Sequence, residues 1–274
     1  MKRIIQILLC VLVLSFAPST ASAQSHAPDG SPNAANAGGI QISPIKHLRK
    51  GVDAWPLIAN PSSPAERRVN EFLLAENLRL EQNLRDCDAD MMEQLKQMEV
   101  RNPRDAVSGD WSRKVRVTMS GPRFLSLVAD DSVYCGGAHP SSDQMAQVFD
   151  MTTGYLVDWD ELLSASAGAS SENDTVLDGT SVDALVLPGL QKMDFFVHHG
   201  DCKDATLKPK SFLIWPDARY GTLVAAPFSL PHAIQGCAKE IGLTMDQARI
   251  LGFDESLLSA IKQAHDQNSA RTKR

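Results

Sequence analysis

Val115-Arg116-Val117-Thr118-Met119-Ser120-Gly121-Pro122 alternates apolar and polar residues for six positions and then turns. A period of two sends alternate side chains to opposite faces, so the stretch reads as a half-buried strand ended by its Gly-Pro pair. The chain before it obeys another period. Ser63-Pro64-Ala65-Glu66 is a helix start, with Ser63 as cap, Pro64 in the first turn and Glu66 closing a capping box. Val69, Phe72, Leu73, Leu80, Leu84, Cys87, Met91, Leu95 and Met98 follow mostly at three- and four-residue steps. This predicts one long amphipathic helix, with a break near Asp88 and an end before Pro103. Arg67, Arg68, Arg79 and Arg85 fall between the apolar positions and read as a solvated face.

Downstream the strand period persists. Phe124 to Val128 is a second strand, Gly136-Gly137 a tight turn, and Gln147 to Asp150 a strand closed by Thr152-Thr153-Gly154 before Tyr155-Leu156-Val157. Asp183 to Val197 has helical spacing despite Pro188. Phe212 to Trp215 and Thr222 to Ala225 flank a turn at Pro216 to Gly221 and predict a hairpin. Thr244 with Gln247 is a second capping box, Gly252 ends that helix, and Asp254 caps a last one carrying Leu257, Leu258 and Ile261. The expected fold is α+β: an antiparallel sheet with one long N-terminal helix and C-terminal helices.

Lys2 and Arg3, the apolar run Ile4 to Phe16 and Ala21-Ser22-Ala23 have the anatomy of a secretory signal peptide, residues 1–23. The run is too short to span a bilayer and no later stretch qualifies, so the chain is not expected to cross a membrane. Residues 24–50 read as a flexible leader rich in Ala, Ser, Gly, Pro and Asn, with folding beginning between Ile40 and Trp55. Residues 51–110 then form an N-terminal strand-helix subdomain and 111–268 a C-terminal α+β subdomain. The expected location is periplasmic or secreted.

Cys10 leaves with the signal, and Cys87, Cys135, Cys202 and Cys237 remain. An even number in an exported chain points to disulfides, and four cysteines allow three connectivities. Cys87–Cys135 with Cys202–Cys237 is preferred, because each pair closes a moderate loop. No CxxC spacing supports a metal or a redox thiol.

The chain's 274 residues carry a net charge of −6 at pH 7, and loss of Lys2 and Arg3 makes the remainder more acidic. Without a basic cluster, nucleic acid is not an expected partner. No G-x-S-x-G, P-loop, G-x-G-x-x-G or HExxH is present, and no cofactor is implied. The densest polar stretch runs Asp130-Asp131-Ser132-Val133-Tyr134-Cys135-Gly136-Gly137-Ala138-His139-Pro140. It reads either as a loop exposing His139 beside carboxylates, or as a structural turn whose glycines take positive φ; the structural reading is the stronger, since one visible ligand makes no metal site. His198-His199 with Asp201 and Cys202 reads as a solvated turn, and His232 as a structural residue. Asp150, Asp158, Asp160 and Glu161 around Trp159 would suit a sugar, against the plainer reading of Asp158 or Asp160 as a helix cap.

Tyr134-Cys135-Gly136-Gly137-Ala138-His139-Pro140, Phe149-Asp150-Met151-Thr152-Thr153-Gly154 and Val157-Asp158-Trp159-Asp160-Glu161-Leu162-Leu163 resemble the Y-x-G-G-A-H, D-x-x-T-G and helix-start signatures of RsiV-like extracellular domains. Pro56-Leu57-Ile58 with Val69-Asn70 is similar to that family's opening, and Phe212 to Val224 with Pro231-His232-Ala233 to its closing portion. The similarity spans roughly residues 52–260. Such domains form the exported part of lysozyme-sensing anti-sigma factors and a non-catalytic region of some peptidoglycan deacetylases. The resemblance implies an α+β domain that binds a cell-wall component or a wall-active protein, with Tyr134, Gly136, Gly137, His139, Asp150 and Trp159 as candidate binding residues. This chain shows neither a cytoplasmic regulatory segment nor a deacetylase domain, and its extra cysteines point to a disulfide-braced envelope branch. The expectation is a non-enzymatic binding domain for peptidoglycan or a lysozyme-like protein. Its rival is a wall-polymer hydrolase using His139 with Asp131 or Asp150.

Overall fold

The computed structural model describes residues 39–98, 110–137, 139–163, 181–183, 189–198, 200–204, 208–228 and 230–272. Its organising element is α1 (Pro64–Gln97), which starts as the capping box requires: Ser63 Oγ accepts the Glu66 N–H, and the Glu66 carboxylate accepts the Ser63 N–H. Ala65, Val69, Leu73, Leu80, Leu84, Cys87, Met91 and Leu95 form its buried stripe, whereas Met98 is exposed. The expected break at Asp88 does not occur. Asp in a half-exposed helix interior is only mildly unfavourable, and Asp88 is tied to Arg49 at 3.0 Å. Pro103 and the signal segment lie outside the described residues.

Where one sheet was expected, two form. The first contains β1 (His47–Arg49), β2 (Val52–Asp53), β3 (Asp110–Ser120), β4 (Phe124–Tyr134), β5 (Ser141–Asp150) and β6 (Tyr155–Leu156), in that order. It is antiparallel except where β2 meets β3. Its two faces follow the pleat. Val115, Leu125, Leu127, Ala129 and Phe149 meet Val69 and Leu73 of α1, while Phe124, Val128, Ala146 and Val148 turn to the opposite side. There they pack on the second sheet: β7 (Ser181–Asp183), β8 (Ser211–Asp217), β9 (Thr222–Phe228) and β10 (Ile241–Leu243), in the order β10-β9-β8-β7. Phe212, Leu213, Ile214 and Trp215 of β8 are almost fully buried in this second core. The short helices α2 (Trp159–Leu162) and α3 (His232–Gln235), then α4 (Met245–Ile250) and α5 (Glu255–Thr272), complete the chain. The α4 cap is the Thr244–Gln247 box, and Gly252 takes φ 96° after it.

The predicted helix over Asp183 to Val197 does not form among the described residues of that segment. Asp183 ends β7, Leu190–Lys192 is a single 3-10 turn, and Phe196 bridges Ala238. Pro188-Gly189 opposes a helix interior, and burial of Phe195 and Phe196 holds that part of the chain flat on the core. Near the first described residues, Ile40, Ile42 and Ile45 pack on the α1-side core, and Ile42 bridges Ile58. Segment 55–58 crosses α1 and is clamped by two asparagines one heptad apart. Asn77 donates to the Trp55 carbonyl and accepts its N–H, and Asn70 does the same for Ile58, at 2.8 to 3.0 Å. The turn after β5 also meets this helix. Gly154 has φ 78°, and a Cβ there would lie 2.3 Å from the Ala65 carbonyl oxygen. Only glycine fits that approach.

Candidate functional site

β4 and β5 pair from Phe124↔Asp150 to Val133↔Ser141. The hairpin tip is therefore Tyr134 to Pro140, the stretch richest in candidate chemistry. Gly136 and Gly137 both adopt left-handed φ, 93° and 101°, which a side chain would resist. Three ties hold the tip. Cys135 is bridged to Cys87 on the buried stripe of α1; the Gln94 Oε1 accepts the Gly137 N–H at 3.0 Å; and the Tyr134 hydroxyl donates to the Gly137 carbonyl at 3.1 Å. Gly136 lies directly against the Gln94 side chain. His139 is exposed at the end of this braced turn. The other bridge, Cys202–Cys237, ties the 3-10 turn Gly200–Cys202 to the residue after Gly236. Both cysteine pairs are those preferred from loop length.

Below the tip, charged residues sit on both faces of β4. On the α1 side the Asp131 carboxylate pairs with the Arg113 guanidinium and accepts the Trp111 Nε1–H at 3.0 Å, and Arg113 stacks on the Trp55 ring at 4.6 Å. Arg113 is 1% exposed. Burial pushes Asp131 above the ordinary carboxylate range against the pull of Arg113, and burial lowers Arg113 against the pull of Asp131. On the other side Arg116 bridges Asp130 at 3.1 Å and Glu240 at 2.8 Å, and Gln144 donates to both at 2.7 Å. Burial works against the Arg116 charge, but Glu240 and Asp130 outweigh it and hold the group above its usual value. Gln235 reaches Asp143 at 3.3 Å, so the upper hairpin is also tied to the second sheet's end of the molecule.

Of the candidate residues, Tyr134, Gly136, Gly137 and His139 share the tip. Asp150 does not. It ends β5, nine residues beyond Ser141, which at the strand rise puts it roughly 30 Å away. There it accepts the Thr152 N–H at 2.7 Å and hydroxyl at 2.6 Å and lies 3.8 Å from Arg123, as a turn residue does. Trp159 is buried in the second core, its ring edge-on to Phe253 at 6.3 Å. His198 pairs with Asp194 at 2.9 Å, and His199 lies outside the described residues. Among the described residues, no three of His, Cys, Asp and Glu are grouped to hold a metal, and no helix is long and apolar enough to cross a membrane.

Sequence reasoning missed Arg113, although its signal was present. Arg113, Val115 and Val117 share one parity of β3, so the pattern that sent the valines inward sent the arginine with them. Gln94 was also missed, and only the register between α1 and the hairpin identifies it.

No family model matches the chain, and no curated protein matches it. Among solved structures, it is similar to a member of the DUF3298 family from Bacteroides fragilis. That likeness has a TM-score of 0.45 at 12% identity and covers 82% of this chain and 96% of the other.

Proposed function

We propose that the protein is an exported, non-enzymatic binding protein that uses the braced tip of the β4–β5 hairpin to engage a cell-wall component or a basic, lysozyme-like wall-active protein. The observation that carries this reading is an exposed histidine on a turn held by a disulfide, a side-chain amide and a tyrosine hydroxyl. A loop ordered before contact loses little freedom on binding, which favours recognition. Two disulfides suit a compartment outside the reducing cytoplasm, periplasmic or secreted. The Tyr134 to Pro140 motif holds the most specific part of the resemblance to RsiV-like domains, and the net charge of −6 attracts a basic partner at low salt.

The hydrolase reading has less support. Asp150 is a strand length from His139, and Asp131 is already engaged by Arg113 and Trp111. The test is calorimetric titration of the oxidised protein with lysozyme and, separately, with peptidoglycan fragments at physiological salt. Binding to one of them, weakened at least tenfold by Tyr134→Ala or His139→Ala, is expected. Binding to neither, or clearing of a cell-wall suspension by the protein itself, overturns the reading.

A further inference from the structure

The solvent side of α1 carries a second pattern, unrelated to the tip. Leu78 is 65% exposed and Leu74 48% exposed on a helix whose other apolar residues are mostly covered. Glu71, Leu78 and Arg85 follow one another at seven-residue steps and are all exposed, so they lie along one narrow stripe of the helix. Leu74 and Gln82 flank Leu78 one turn to either side, with Ala75 and Glu81 inside them. The stripe has opposite charges at equal distances from a central leucine. An antiparallel two-fold placed at Leu78 therefore brings unlike charges together, whereas a parallel pairing stacks like on like. A solvated face requires neither two large exposed leucines nor this symmetry.

We propose that this stripe is a self-pairing surface, on which two copies of the chain lay their α1 helices antiparallel across Leu78. Leu78 then meets the partner's Leu78 on the axis, Leu74 covers the stem of the partner's Gln82, and Glu71 faces the partner's Arg85 at both ends. The arrangement is isologous, so each charge pair occurs twice. The stretch from Arg67 to Ala89 gives a footprint about 35 Å long and one helix wide, at the small end of specific interfaces. The pairing is accordingly concentration-dependent and weakens as salt rises.

Sedimentation equilibrium on the oxidised full chain tests this. The wild type is expected to shift from monomer to dimer with concentration. Leu78→Glu, Glu71→Arg and Arg85→Glu should each weaken association at least tenfold. All three sites are exposed, so melting temperatures should stay near wild type and confirm that the variants fold. The decisive arm mixes Glu71→Arg with Arg85→Glu. Each variant repels itself, because both charges of its stripe now have one sign. In the equimolar mixture the introduced arginine faces the introduced glutamate, and the native Arg85 of one variant faces the native Glu71 of the other. The mixture should therefore recover wild-type affinity. A wild type that stays monomeric to about 500 μM, a dimer indifferent to Leu78→Glu, or a mixture that does not associate overturns the proposal. None of these outcomes depends on whether the hairpin tip binds a wall ligand.

Discussion

Replacing Asp131 by Asn keeps the shape of the side chain and removes its charge. Arg113 is then left 1% exposed, with a neutral amide where its counter-ion stood, and its Nε and Nη2 have no hydrogen-bond partner even in the native protein. Breaking one side of a buried ion pair is destabilising by about 3–5 kcal/mol, because the remaining charge stays desolvated. For a domain of this size that is a fall in melting temperature of roughly 6–20 °C. Replacing both partners, as Arg113→Met with Asp131→Leu, behaves differently. Burial pushes both groups towards their neutral forms, so desolvation outweighs their mutual attraction. Removing the pair recovers that penalty and forfeits the Trp111 hydrogen bond and the stacking on Trp55. These effects oppose each other, and the double variant should lie within about 2 kcal/mol of wild type. Urea unfolding followed by tryptophan fluorescence reports on the site, since Trp55 and Trp111 flank it. If Asp131→Asn is as stable as wild type, or if the double variant loses as much as the single one, the reasoning from desolvation is wrong.

Removing the Cys87–Cys135 bridge as Cys87→Ala with Cys135→Ala frees a separation of 48 residues, worth about 4 kcal/mol by loop entropy, or roughly 8–16 °C. Calorimetry measures the loss, and amide exchange at Gly137 should quicken with it; a melting point within about 2 °C of wild type contradicts the bracing role. Acid should destabilise the protein. Hydrogen bonds hold several carboxylates below their ordinary values: the Ser63 backbone for Glu66, the Phe196 backbone for Asp194, Ser256 for Asp254, Arg249 for Glu255 and Lys262 for Asp266. Their contribution is complete above the unfolded carboxylate range near pH 4 and is lost as pH falls through the lower folded values. Among the described carboxylates with a resolved shift, only Asp131, raised by burial, acts in the opposite direction. Melting temperature should therefore decline from about pH 5 to pH 2, and Glu66→Gln should shallow that decline.

What could be read from the chain was local. Ser63-Pro64-Ala65-Glu66 and Thr244 with Gln247 specify their helix starts through contacts three residues apart, and both boxes form. The hairpin from Ser211 to Phe228 and the Gly136-Gly137 turn likewise carry their own turn chemistry. Long-range decisions were not legible. The clamps of Asn70 and Asn77 on Ile58 and Trp55 need the path of segment 55–58, which no periodicity encodes. Trp159 stands among acids in sequence, yet its ring is covered by Phe253, which is remote in the chain. For the candidate site, the motif located the tip but could not tell that Asp150 ends the far side of the same strand. Segment 183–197 misled because Phe195 and Phe196, read as part of an apolar helix face, are buried outside any helix, with Phe196 bridging Ala238.

Two defined bridges, Cys87–Cys135 at the hairpin tip and Cys202–Cys237 in the second core, brace the scaffold. Non-reducing peptide mapping of the protein, alkylated as it is released from the cells that make it, addresses this most directly. It should yield one cross-linked peptide pair containing Cys87 and Cys135 and another containing Cys202 and Cys237. Recovery of all four cysteines as alkylated thiols, or of crossed pairs, would contradict it.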